Sequence, residues 1–217
     1  HPIHRWFNFI AGFSPELVNA CAQGLRSSAV VLDPFAGCGT TPLAASLLGH
    51  KSICYEPHPV FARITLAKLQ APNHVKSISK VREVLKDGLD KKGQLDDLSS
   101  SARTYLLKLV DKERLTCLLG AKAAANGLSK TDSDLAFMIL SKTLELCSHS
   151  QTDGIYKAPT SRKSAIDPRN AIDQVIDIIE SDLKLLKPKG IFKADLHEHS
   201  AESMQEINSS SIDLIVT

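Results

Sequence analysis

The chain has 217 residues, 26 Lys+Arg against 24 Asp+Glu, a net charge of +2 and 43% hydrophobic residues. This is an ordinary globular composition that excludes a supercharged tail or a histone-like role, and the length suffices for one large or two small cores without disulfides. Five cysteines without a CxxC pair argue against a disulfide scaffold or a zinc site, and no apolar stretch approaches the ~20 residues of a membrane span. His1, His4 and Arg5 interrupt any signal-peptide run, so the expectation is a cytoplasmic protein of prokaryotic type with no membrane partner.

From Ser14 to Gln70 the signals alternate helix, strand, helix, strand, helix, the pattern of a parallel α/β unit. Ser14-Pro15-Glu16 predicts an N-cap with proline at the first helical position, and Leu17, Cys21 and Leu25 share one face at helical spacing. Ala29-Val30-Val31-Leu32 is too apolar for a half-exposed strand and predicts a central parallel one. Thr40 to Leu48 predicts a helix stopped by Gly49, Lys51 to Tyr55 a second strand, and His58 to Leu69 another helix. From Ala71 to Lys189 the strand signal disappears, and residues 101–125, 131–147 and 167–186 carry apolar side chains at helical spacing, Ile172, Val175, Ile176 and Ile179 among them. Asp167-Pro168 supplies the cap of the last of these. The polar stretch Leu89 to Ser101 predicts a mobile linker. Strand signals return at Gly190 to Ala194 and Ile212 to Val216, with one or two helical turns expected between Ala201 and Ile207. The predicted organisation is an α/β domain begun by residues 1–70, a helical insertion over 71–189, and a return to the α/β domain at 190–217.

The chemistry concentrates in Asp33-Pro34-Phe35-Ala36-Gly37-Cys38-Gly39-Thr40-Thr41-Pro42, directly after the first strand. Two glycines allow a tight turn and close approach of a ligand, and the helix that follows presents unpaired N–H groups. No Gly-Lys-Ser/Thr ending is present, which argues against a triphosphate loop, and Pro42 replaces the third glycine of the dinucleotide fingerprint. Asp33 at the strand end repels phosphate and suits a cationic group. Glu56, after the second strand, is placed to accept from both ribose hydroxyls. Asp195, at the end of the third strand, is placed to accept from an adenine amino group. Three strand-end acids around one glycine-rich turn describe a nucleoside with a positively charged tail, S-adenosylmethionine better than NAD. Cys38 has no neighbouring base and reads as a small turn residue.

These residues resemble the amino-group DNA methyltransferases. Asp33 to Thr41 looks like that family's first motif, Glu56-Pro57 like its second and Asp195 with Leu196 like its third. Phe13-Ser14-Pro15 is similar to the segment that closes over the methionine end of the cofactor, and His4 to Phe9 to a lead-in of the cytosine-N4 branch. The resemblance implies a partial Rossmann-like methyltransferase sheet of four strands. It implies that Phe13, Ser14, Pro15, Asp33, Phe35, Ala36, Gly37, Cys38, Gly39, Thr40, Glu56, Pro57, Asp195 and Leu196 surround S-adenosyl-L-methionine, and that duplex DNA with a flipped base is the partner. A paired restriction endonuclease is a further implied partner. Ile212 to Thr217 looks like the strand leading into the Ser/Asp/Asn-Pro-Pro-Tyr catalytic motif; that motif is expected just after Thr217, which leaves the chain inactive alone. An RNA or tRNA base methyltransferase and a non-catalytic cofactor- or DNA-binding subunit stand as alternatives.

Outside the motifs, Tyr156 to Lys163 reads as a basic, turn-rich loop. Lys157, Arg162, Lys163 and the nearby Arg169 are its candidate DNA-phosphate contacts. His197-Glu198-His199 places two imidazoles on one face, yet no third ligand is indicated by sequence, and a surface polar turn is expected with no metal bound.

Overall fold

The computed structural model describes residues 1–9, 12–152, 157–186 and 193–217, with backbone only at 151, 152 and 157–162. The chain divides into two compact units, His1–Pro72 with Leu185–Thr217, and Asn73–Lys184.

In the first unit, α1 (Pro15–Cys21) precedes β1 (Val30–Asp33), α2 (Thr40–Leu47), β2 (Lys51–Tyr55) and α3 (Pro59–Leu69). Proline opens α1 as expected, but Ser14 makes no side-chain cap bond. The buried face of α1 also differs from expectation: Val18 and Ala22 are in the core, whereas Leu17 is 46% exposed and Cys21 is exposed. Helical spacing alone allowed either set, and the sheet selects the set nearer β1. Val18 packs there with Val31, Ala44, Ala45 and Val216.

A single turn, α4 (Ala71–His74), leads to the helices α5 (Ile78–Lys91), α6 (Ser100–Leu109), α7 (Lys112–Ala125) and α8 (Lys130–Cys147). Two expectations are corrected here. The stretch Leu89 to Ser101 is no linker: α5 runs through its start, residues 95–97 form a 3-10 turn, and Ser99 caps α6 by accepting from the Ala102 amide at 3.3 Å. Gly93 lets this stretch lie on α7, its amide donating to the Thr116 carbonyl at 2.7 Å. The single helix expected over 101–125 is broken at Val110 and Asp111, both extended.

The helical unit also holds a two-stranded antiparallel sheet, β3 (Ser150–Thr152) with β4 (Lys157–Arg162), where sequence suggested only a loop. Lys157 and Arg162 lie on β4, and Tyr156 falls outside the described residues. α9 (Pro168–Leu185) follows, capped as expected by Asp167, whose carboxylate accepts from the Arg169 amide at 3.0 Å. Its apolar stripe, Ile172, Val175, Ile176 and Ile179, is buried.

The chain returns to the α/β unit with β5 (Ala194–His197) and β6 (Leu214–Ile215). Gly190 to Phe192, part of the expected strand, lie outside the described residues. Residues 201–207 form turns instead of helix. The four strands make one parallel sheet in the order β5-β2-β1-β6. The fold is thus mixed α/β, consistent with a partial Rossmann-like methyltransferase sheet. Asp213 fastens β6 to β1, accepting from the Val30 amide at 2.8 Å and, through both its oxygens, from Nε and Nη2 of Arg26, each at 3.0 Å. Because the sheet is parallel, the C-terminal ends of its strands, and the turns that follow, gather along one edge.

Candidate cofactor site

The turn after β1 is built by its glycines. Gly37 and Gly39 adopt φ of 52° and 80°, the left-handed region that other residues enter at a cost. A Cβ on Gly37 would find no heavy atom nearer than 4.0 Å, so its outer side is open. A Cβ on Gly39 would fall 2.8 Å from the Thr65 side chain, so α3 approaches the turn closely there. From α3, Thr65 Oγ1 donates to the Gly37 carbonyl and Lys68 Nζ to the Cys38 carbonyl, each at 3.0 Å.

Glu56, one residue past β2, reaches across to this turn. One of its carboxylate oxygens accepts from the Gly37 amide and the other from the His58 amide, each at 2.8 Å. The side chain is nearly buried, yet a carboxylate has lone pairs beyond those two bonds.

Turn and carboxylate face a cavity of about 740 Å³, within the range of small-molecule and cofactor pockets. Of the residues singled out by sequence, Phe13, Ser14, Pro15, Phe35, Ala36, Gly37, Cys38, Thr40 and Glu56 line it. Asp33, Gly39, Pro57, Asp195 and Leu196 do not. Asp33 is buried beneath the turn, its carboxylate accepting from the Phe35 amide at 3.0 Å. Burial pushes its carboxyl above the usual range, and its visible work is to shape the turn. Asp195 sits inside β5 opposite Ile53, two residues before the strand's end. Burial raises the Cys38 thiol to about 11, which keeps it protonated and suits its reading as a small turn residue.

Further lining residues lie outside the set expected to surround the cofactor. Phe9 and Phe61 have ring centroids 4.6 Å apart, and His58 and Phe61 4.8 Å, so the three form an aromatic wall beside Glu56. His58 and Phe61 stand three apart at the start of α3, directly after Glu56-Pro57, and that spacing was the available signal. Lys68 lines the cavity too. Its ammonium is buried and also donates to the Phe7 carbonyl at 2.9 Å, tying the N-terminal segment to the turn. Burial holds it down at about 8. His4 also lines the cavity; burial, then Lys68, lowers it to about 4, and its buried Nε2 has no hydrogen-bond partner.

The candidate DNA contacts lie in the helical unit. Lys163 donates to the Glu145 carbonyl at 2.9 Å and Arg169 pairs with Asp90 at 2.6 Å. The sequence expectation that His197 and His199 lack a third ligand is corrected: the 198–206 segment folds back so that Glu206 stands beside them. Among the described residues no helix is long and apolar enough to cross a membrane.

A parallel strand, a left-handed glycine turn, and a carboxylate at the tip of the next strand meet at this cavity, the arrangement of a Rossmann-like sheet. Residues 16–67 match the family model described as DNA methylase, of the N6/N4 amino-group type. The chain is 43% identical over 60 residues to the Type II methyltransferase M.BsoBI of Geobacillus stearothermophilus, a stretch that covers 27% of this chain and 12% of that protein. Over this segment the chain carries the sequence signature of the amino-group DNA methyltransferases.

Proposed function

We propose that this chain binds S-adenosyl-L-methionine in the cavity beside the glycine turn and serves a DNA methyltransferase acting on an exocyclic base amine, cytosine N4 in preference to adenine N6. The observation that carries the reading is the convergence of Gly37, Glu56 and the Phe13-Ser14-Pro15 segment on one cavity. The residues fit the cofactor. The open side of Gly37 is a cradle that a Cβ would narrow, Glu56 is an acceptor for ribose hydroxyls, and the Phe9, His58 and Phe61 wall offers rings for a purine to stack on. The unpartnered His4 Nε2 is a polar contact left for a ligand. When bound, the cofactor supplies a methyl group on a cationic sulfonium. The chain's own part is to orient it: Glu56 fixes the sugar, and the tether from Lys68 holds the N-terminal segment against the turn. The lead-in His4 to Phe9 supports the cytosine-N4 preference. Lys157, Arg162, Lys163 and Arg169 are offered as phosphate contacts, and Asp195 and Leu196 as contacts at the adenine edge.

Calorimetry with S-adenosylmethionine tests this directly. One cofactor per chain is expected, and Glu56→Ala should weaken it by about 1–3 kcal/mol, the worth of a lost charged hydrogen-bond partner. Unchanged affinity in that variant removes the central assignment. Binding to tRNA with no binding to duplex DNA would turn the reading toward an RNA enzyme.

A further inference from the structure

We propose that His197, His199 and Glu206 form a binding site for a zinc-type divalent cation at the end of β5. One ligand atom from each of the three side chains lies within 4.8 Å of the others. Two imidazoles and one carboxylate suit a borderline metal such as zinc, whereas magnesium and calcium favour all-oxygen sites.

The hydrogen bonding around His199 gives the stronger reason. Its Nδ1 stands 3.0 Å from the Ser200 carbonyl, which can only accept, so Nδ1 carries a proton. In a neutral ring Nε2 is then a lone pair, and it faces Glu206 Oε1 at 3.1 Å. Two acceptors at that distance need either a second ring proton or a cation between them. A tetrahedral zinc ion with bonds of about 2.0–2.1 Å holds neighbouring ligand atoms roughly 3.3 Å apart, close to the 3.1 Å between His199 Nε2 and Glu206 Oε1. The other oxygen of Glu206 is already occupied, accepting from the Tyr55 hydroxyl at 3.1 Å, which turns Oε1 toward His199. The Tyr55 ring stacks on His197, centroids 4.9 Å apart, and restrains the third ligand. Partners of this kind, which orient the ligands without touching the metal, are a usual part of a metal site.

The three ligands join the end of β5 to the turns that lead toward β6, and Tyr55 joins them to β2. Cation binding therefore pins residues 198–206 to the edge of the sheet. None of the four residues lines the cofactor cavity, so the site can be measured without cofactor and stands or falls apart from the methyltransferase reading.

The test is a calorimetric titration of the full chain with zinc chloride at neutral pH, with cobalt(II) absorption as a check on tetrahedral nitrogen and oxygen ligation. One equivalent is expected, with a melting temperature that rises with zinc concentration. His199→Ala and Glu206→Gln should each weaken binding at least about tenfold, since even the loss of an orienting partner costs that much. His149→Ala, which removes the histidine–carboxylate pair with Asp111 in the other unit, should leave the affinity unchanged. Melting without zinc checks that each variant folds. No zinc uptake by the native chain overturns the site and leaves His199 and Glu206 an ion pair. Unchanged affinity in the His197→Ala/His199→Ala double variant also overturns it, by placing the zinc on other imidazoles.

Discussion

The two units use glycine for opposite reasons. In the α/β unit Gly37 and Gly39 are needed for their backbone, which turns through the left-handed region beside the cavity that Glu56 lines. In the helical unit Gly88 and Gly120 have ordinary dihedrals and are needed for the side chain they lack. A Cβ on Gly88 would fall 2.6 Å from the Ala121 Cα, and one on Gly120 2.9 Å from the Lys92 Cα, so α5 and α7 meet backbone to backbone. The first kind of glycine shapes a site and tolerates strain around it. The second sets how closely two helices approach and leaves no room for adjustment.

Gly39 shares both properties, and substituting it should produce the largest effect. Alanine there bears about 1–2 kcal/mol of left-handed strain and meets Thr65, whose hydroxyl is held by the Gly37 carbonyl. Moving Thr65 aside forfeits that bond, about 1 kcal/mol more. A total near 3 kcal/mol is expected by denaturant melting, together with loss of cofactor binding. Gly37→Ala should cost only the strain, about 1–2 kcal/mol, because its Cβ meets open space. Equal losses in the two variants would refute the distinction drawn between them.

Gly120→Ala comes next, and two magnitudes compete in it. Alanine gains about 1 kcal/mol of helix propensity over glycine, while overpacking against backbone costs about 1–3 kcal/mol and occasionally more. The neighbours are backbone atoms of Gly88 and Lys92, which cannot swing away, so a net loss of about 1–2 kcal/mol is expected, with cofactor affinity unchanged. A stabilised variant would mean that α5 and α7 separate readily.

The same contrast explains what could be read from the sequence. Asp33 to Thr41 announced its turn because left-handed dihedrals demand glycine at fixed positions, and the strands on either side were legible from their apolar runs. Gly88, Gly93 and Gly120 gave no such signal, since close packing depends on a distant partner in the chain. That is why Leu89 to Ser101 read as a linker although Gly93 seats it on α7. His58, Phe61 and Lys68 were missed because the segment from His58 to Leu69 was read only for helical spacing, which does not say which residues face the turn. Glu206 was missed as a companion of His197 and His199 because it lies seven positions beyond His199, across irregular chain.

Lys68 gives the smallest expected change in stability and the clearest pH signature. Lys68→Met leaves the Phe7 and Cys38 carbonyls without their donor, at about 1–3 kcal/mol, but also removes a buried ammonium whose desolvation opposes folding, so the net effect near pH 7 should be small. Burial lowers the folded-state value to about 8 against the ordinary 10.5. Between those values the unfolded chain still binds the proton that the folded chain has released, so this group makes stability rise with pH across that window. Below about 8 both states are protonated and the contribution is flat, with the charged form buried at its full cost. The methionine variant should therefore lose ground to the native chain as pH goes from 7.5 to 10, measured by parallel denaturant melts. Identical slopes would mean that Lys68 is not held in the buried, charged tether between the N-terminal segment and the glycine turn. A Cβ on Gly120 meets only backbone atoms of Gly88 and Lys92, so Gly120→Ala should differ from the native chain by the same amount at both pH values.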